Sequence, residues 1–163
     1  MKKVELGAGF LNQNKIDRYI RHLGNSYNPD DYVGVDFVKN KGVDEICNFE
    51  SEKLPFGDST IDEIITIHTL EHINNLNHII GECHRILKPQ GLLKIWVPHC
   101  HSTSAFSEPT HVRFFAVSTL DTFDFTRKEG QGIPTSNVLF KKNSVKLQIC
   151  RNGYSIKWYD KFL

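Results

Sequence analysis

The chain has no long apolar run, no closely spaced cysteine pair and no surplus of charge of either sign. No stretch is long or apolar enough for a signal peptide or a membrane span. Met1-Lys2-Lys3 leads directly into a short apolar run, so an exported or membrane-embedded protein is not expected. The four cysteines, Cys47, Cys83, Cys100 and Cys150, are widely scattered and form no C-x-x-C. That spacing suits neither a zinc knuckle nor a disulfide framework, and it points to free thiols in the cytoplasm. Twenty Lys and Arg against 19 Asp and Glu leave a net charge of +1, so nothing draws the chain generally toward nucleic acid or acidic lipid. Lys141, Lys142 and Lys146 are the nearest approach to a basic patch. Internal repeats and low-complexity tracts are absent as well, which excludes solenoids and disordered arrays.

What remains is an ordinary globular composition, 39% hydrophobic and 24% charged over 163 residues. That is enough chain for a single domain that buries about two-thirds of its unfolded surface.

The pattern along the chain alternates strand and helix. Lys3 to Leu6 is a short apolar strand that runs into the tight loop Gly7-Ala8-Gly9. Ile16, Tyr19, Ile20 and Leu23 recur at helical spacing and Gly24 stands where a C-cap glycine belongs, so a helix is expected over 13–23. Asn25 to Asp31 reads as a loop and Tyr32 to Phe37 as a second strand. A short third strand is expected at Asp44 to Asn48 and a β-branched fourth at Ile61 to Ile67. Apolar residues at 73, 76, 79, 80, 83, 86 and 87 predict an amphipathic helix over 70–87, ended by Pro89-Gln90-Gly91. Leu92 to Val97 is a fifth strand. Val138 to Phe140, Val145 to Ile149 and Tyr154 to Trp158 are expected as late strands, with Asn152-Gly153 as a hairpin turn. Such alternation predicts an α/β fold: a Rossmann-like, doubly wound, mostly parallel sheet with helices on both faces. Residues 1–98 would form the cofactor-binding core, and 99–163 an acceptor-side loop and the late strands.

In a doubly wound sheet the ligand lies across the carboxyl ends of the strands. Gly7 and Gly9 allow the backbone to approach a ligand closely. Asp36 ends the second strand, where a carboxylate can accept two hydrogen bonds from a ribose diol. Asn48 and Phe49 end the third, where an amide and an apolar face can bracket an adenine. His68 ends the fourth and faces the same crevice. A dinucleotide fingerprint would need a third glycine at Asn12, and the interval from Gly9 to Asp36 is long for it, so a nicotinamide-dependent oxidoreductase is disfavoured.

Glu5-Leu6-Gly7-Ala8-Gly9, Val35-Asp36, Leu54-Pro55-Phe56, Asp62-Glu63-Ile64, Thr69-Leu70-Glu71-His72 and Arg85-Ile86-Leu87-Lys88-Pro89-Gln90-Gly91 stand in the order found in a known family. Over roughly residues 3–100 the chain resembles class I S-adenosylmethionine-dependent methyltransferases of the type 11 group. The resemblance implies S-adenosyl-L-methionine as cofactor. Position by position, it implies that Glu5, Gly7, Ala8 and Gly9 hold its methionine and ribose part. Asp36 would take the ribose hydroxyls, Phe37 flank the adenine, Asn48 and Phe49 meet its edge, and His68 lie beside the methionine end. The family's usual third glycine is missing near Phe10 or Leu11, and Asn48 replaces a more usual acid. A methyltransferase-like scaffold with a degraded site is therefore the competing expectation.

His68-Thr69-Leu70-Glu71-His72 also matches H-x-x-E-H, an inverted zinc-peptidase signature. That motif needs both histidines inside one helix, whereas His68 falls at a strand end, so the peptidase reading is rejected. After the fifth strand, Pro98-His99-Cys100-His101-Ser102 and Glu108-Pro109-Thr110-His111-Val112-Arg113-Phe114-Phe115 are unusually polar and aromatic for a connector. They resemble a Pro-His … Asp-Pro-Thr-His-x-Arg-x-Phe pattern in a branch of these methyltransferases. Three readings stay open: His101 or His111 as a base on the acceptor, a metal held by His99, Cys100, His101 and His111, or a loop held down by His111, Arg113 and the phenylalanines. His99 and Arg113 are candidates for contacting the acceptor. The expectation carried forward is a methyltransferase with no resident metal, acting on a small-molecule or glycan acceptor. Nucleic acid is disfavoured as a partner, and an RNA or protein acceptor is the alternative that stays open.

Overall fold

The computed structural model describes residues 1–24, 27–124, 140–150 and 153–161. Seven strands form one sheet: β1 (Lys3–Leu6), β2 (Tyr32–Asp36), β3 (Glu45–Ile46), β4 (Ile61–Ile67), β5 (Leu87–Pro98), β6 (Lys141–Cys150) and β7 (Gly153–Lys161). Their order is β3-β2-β1-β4-β5-β7-β6. The first five pair in parallel, and β7 runs antiparallel to both β5 and β6. This is the Rossmann-like α/β sheet that the strand–helix alternation predicts.

Side chains alternate across the strands, so each face buries its own set. On one face Val4, Leu6, Val35, Ile64, Leu93, Ile95 and Val97 meet Leu76, Ile79, Ile80, Cys83 and Ile86 of helix α2 (Leu76–Ile86). On the other, Ile65, Ile67 and Trp96 meet Tyr19 of helix α1 (Gln13–Leu23), with Tyr27 beside them. The α1 bounds match the periodicity, and Asn12 caps the helix by accepting from Lys15 N at 2.9 Å. The remainder of that second face is polar. Tyr32 donates to Glu63 at 2.6 Å, and Lys94 pairs with Glu63 at 2.8 Å.

Three expectations need correction. The helix expected over 70–87 is divided into a 3-10 turn, Leu70–His72, and α2. Ile73 between them is extended (φ −95°, ψ 121°). Apolar spacing does not register this break because polar tethers cause it. The Glu50 carboxylate accepts from Asn74 N at 2.7 Å and Asn75 N at 2.8 Å, and Asn75 then caps α2 through His78 N. The turn at Lys88–Gly91 lies within the bounds of β5, because Leu87 already pairs with Ile61 and the register then shifts so that Leu92 meets Glu63. The third strand shrinks to two residues, although Asp44 and Cys47 still bond backbone to backbone with Gly34 and Asp36. The late strands at 145–149 and 154–158 fall within the longer β6 and β7. Val138, Leu139 and Asn152 lie outside the described residues.

Burial pushes the Glu50 carboxyl upward, but the backbone N–H groups of Asn74 and Asn75 outweigh it and hold the pKa below its ordinary 4.5. A group depressed in the folded state stabilises above its unfolded pKa and loses that contribution as pH falls through the folded one. Glu50→Gln should therefore destabilise the protein above pH 4.5, with the difference from wild type vanishing at lower pH. Denaturant unfolding across a pH series checks this, and a pH-independent difference would contradict it.

Candidate active site

The carboxyl ends of β1, β2 and β4 meet at one crevice. After β1 the chain turns at once: Gly7 N and Ala8 N both bond to Val35 O, at 2.9 and 3.1 Å. Gly7 sits at φ +73°, and a Cβ there would lie 2.0 Å from Thr69 Oγ1. Thr69 in turn donates to Leu6 O at 3.2 Å, so the loops after β1 and β4 are packed backbone against side chain. Gly9 N donates to Asp36 Oδ2 at 2.8 Å, and Val38 N to Asp36 Oδ1 at 3.2 Å. Beneath the loop, Lys15 bonds to Ala8 O and pairs with Glu5 at 2.6 Å, both side chains being almost fully buried. Burial raises the Glu5 pKa and Lys15 only partly opposes the rise. Tyr27 also donates to Glu5, at 3.2 Å.

A cavity of about 300 Å³ opens above this loop, lined by Gly7, Ala8, Gly9, Asp36, Phe37, Phe49 and His68 among others. A second, of about 700 Å³, shares Phe37, Phe49, His72 and Ile73 and adds Asn48. A third cavity of about 520 Å³ opens beside the start of β2, at Tyr32; it shares Lys15 with the first and is lined also by Glu5 and Leu11, but not by Asp36 or the glycine loop. Seven of the nine expected cofactor residues thus line the first cavity. Asn48 lines only the second, where its Oδ1 accepts from Glu50 N at 3.0 Å. Glu5 lies below the loop in its ion pair. Lys15, Arg18 and Tyr19 also line the first cavity and were missed by sequence reasoning. Their i, i+3, i+4 spacing on the helix after the glycine loop was the available signal.

The cavity suits a nucleoside with a charged tail. Phe37 is 70% exposed beside it, a large aromatic face placed for a purine. Asp36 supplies acceptors at the end of β2, and Gly9 leaves the loop open, since a Cβ there would meet only Gly7 O, at 3.9 Å.

On the far wall, His68 adopts φ +56°, a conformation rare without glycine, and its Nδ1 lies 3.2 Å from Glu71 Oε1. Val112 N and Arg113 N both bond to Glu71 O, which draws the loop after β5 against the 3-10 turn. The result brings His72 and His111 together, with ring centroids 4.7 Å apart and Glu71 beside them. The other candidates are placed differently. His101 is exposed, and its backbone N–H donates to His99 Nδ1 at 3.1 Å. Burial and the neighbouring His101 lower the His99 pKa. Arg113 directs Nε to Ile73 O at 3.3 Å and Nη2 to Asn74 O at 2.6 Å. These bonds fasten the break before α2.

A family model described as a methyltransferase domain matches residues 7–95. That is more than half of the chain, which belongs to this family, whose cofactor is S-adenosyl-L-methionine. The sterol 4-C-methyltransferase strm-1 of Caenorhabditis elegans is 36% identical over 62 residues, covering 36% of this chain and 19% of that protein. The malonyl-(acyl-carrier protein) O-methyltransferase 1 of Coxiella burnetii is 30% identical over 95 residues, 55% of this chain and 31% of that protein. The chain thus spans about a fifth and about a third of these two relatives. In fold it is similar to the Burkholderia thailandensis 1,6-didemethyltoxoflavin-N1-methyltransferase, solved with S-adenosylhomocysteine bound. The TM-score is 0.59 at 14% identity, over 98% of this chain and 70% of that one. No helix among the described residues is long and apolar enough to cross a membrane.

Gly7→Ala should destabilise the protein more than Gly9→Ala. Both substitutions carry the cost of a positive φ, about 1–2 kcal/mol, but only the first drives a methyl group into Thr69. Thermal unfolding of the two variants measures the difference, and equal losses would contradict the close packing of the two loops.

Proposed function

We propose that this protein transfers the methyl group of S-adenosyl-L-methionine to an oxygen or nitrogen of a small or medium-sized acceptor, a sugar, glycan or other metabolite, in the cytoplasm. The observation that carries this reading is one cavity whose near wall is the glycine loop with Asp36 and whose far wall is His68 and His72. The bound cofactor supplies an electrophilic methyl group on a sulfonium. The chain's own part is positioning. Holding donor and acceptor in line and close accounts for most of the rate expected of such a displacement. Asp36 and Gly9 fix the ribose side and the aromatic pair Phe37 and Phe49 the base. The acceptor approaches from the imidazole side, beside Glu71, His72 and His111. Arg113 serves this site by holding the 73–74 segment, and His99 and His101 border the acceptor's approach from the loop after β5. The net charge of +1 supports a small acceptor over nucleic acid.

Calorimetric titration should give micromolar affinity for S-adenosylmethionine and S-adenosylhomocysteine and none for NAD. Asp36→Ala should weaken the former by about 1.5–3 kcal/mol, the scale of hydrogen bonds to a charged group. That is roughly ten- to 150-fold in Kd. Failure of wild type to bind either ligand would favour the scaffold reading, which the missing third glycine and Asn48 already motivate. Unchanged affinity in the Asp36 variant would remove that residue from the site.

A further inference from the structure

The loop after β5 brings three ligating side chains to one point beside the cofactor cavity. Glu71, His72 and His111 each present a ligand atom, and the three atoms lie within 4.8 Å of one another. Two of these residues come from the 3-10 turn after β4. The third is brought in by the backbone bonds from Val112 and Arg113 to Glu71 O.

Hydrogen bonding assigns the proton on each ring. His111 Nδ1 lies 2.9 Å from Ala105 O. A carbonyl only accepts, so Nδ1 carries a proton, and in the neutral ring the lone pair is on Nε2. That Nε2 faces Glu71 Oε1 at 4.0 Å, with the His111 side chain 7% exposed and the Glu71 side chain 1%. His72 Nδ1 lies 3.2 Å from Thr110 O and 3.0 Å from Thr110 Oγ1. The Thr110 carbonyl only accepts, so here too Nδ1 is the donor, and in the neutral ring the lone pair is on Nε2. Glu71 Oε1 lies 3.2 Å from His68 Nδ1, and its second oxygen, Oε2, is buried with no hydrogen-bond partner among the described residues. Two imidazole rings and a buried carboxylate therefore converge, and one oxygen of that carboxylate has no hydrogen-bond partner among the described residues. A cation among them would satisfy the carboxylate oxygen that is otherwise buried without a partner.

We propose that Glu71, His72 and His111 form a binding site for a divalent first-row transition-metal ion such as Zn2+. Two imidazoles and one carboxylate favour such an ion over Mg2+ or Ca2+, which prefer oxygen ligands throughout. Ala105 O and Thr110 orient the rings from outside, as metal-bound histidines usually require, and His68 does the same for the carboxylate. Three protein ligands leave a coordination position open. His72 lines both cavities, so that position faces the crevice where the acceptor is placed by the reading above, on which this second role rests. A metal held there would lower the pKa of an acceptor hydroxyl, whose proton would pass to solvent. The hydroxyl oxygen then forms the new bond to the methyl carbon, while the electron pair of the breaking S–CH3 bond returns to sulfur. This departs from the sequence expectation of no metal. Neither His99, Cys100 nor His101 takes part.

The test is equilibrium dialysis of the purified chain against Zn2+, and separately Co2+, with bound metal counted by mass spectrometry and the Co2+ form read by its visible d–d absorption. One ion per chain at micromolar free metal is expected. His72→Ala and His111→Ala should each weaken binding at least about tenfold and lose the Co2+ spectrum. His78→Ala, outside the cluster, should bind as wild type. Circular dichroism and S-adenosylhomocysteine titration of the same samples report folding and the cofactor site separately. Glu71→Gln offers a third variant should either histidine variant misfold. No bound metal in a wild-type protein that binds S-adenosylhomocysteine overturns the metal site alone. So does stoichiometric metal that survives the His72 and His111 substitutions. Metal bound without S-adenosylhomocysteine leaves the site standing and overturns the methyltransferase reading.

Discussion

The contact between Gly7 and Thr69 organises the molecule. Parallel strands β1 and β4 are neighbours, and the two loops leaving their carboxyl ends must cross almost without clearance. Only a glycine at positive φ fits beneath Thr69. Once that crossing is made, the glycine loop and the Thr69–His72 turn share one cavity, and Asp36 reaches across from β2 to hold Gly9 N. The cavity walls that follow β1 and β4 are therefore placed by the same steric constraint.

The second constraint is the fastening of the loop after β5 to the turn after β4. Val112, Arg113 and Thr110 all bond to residues between Glu71 and Asn74, and Glu50 holds the same segment from the β3 side. These are backbone and side-chain polar contacts laid over a segment that also buries Leu70 and Ile73 in the core. They also bring His111 next to His72. The polar tethers thus do the work that an uninterrupted helix after β4 would otherwise do by packing.

Much of this was legible in the sequence, for identifiable reasons. The strands β1, β2 and β4 and the helix α1 announce themselves by apolar runs and periodicity that tertiary structure has no cause to override. Gly7, Gly9, Asp36 and His68 were legible because strand ends in a doubly wound sheet converge. What was not legible depended on partners distant in the chain. The break at Ile73 follows from Glu50 and Arg113, and no local spacing encodes it. The role of Lys15 follows from a carboxylate ten residues earlier on the facing strand. His111 was singled out with His99, Cys100 and His101, but its true neighbours, Glu71 and His72, lay in a motif set aside as a helix start. The H-x-x-E-H spacing was rightly refused as a helical peptidase signature, yet two of its residues do converge on a third ligand.

The account's central claim is that one cavity spans the loops after β1, β2 and β4. Amide hydrogen exchange with and without S-adenosylhomocysteine tests it most directly. Ala8 to Phe10, Phe37 to Lys39 and Thr69 to Ile73 should slow together on ligand addition, while β6 and the exposed end of α2 do not change. Protection confined to one of these loops, or appearing instead around Tyr32 and Asp31 at the cavity beside the start of β2, would contradict it.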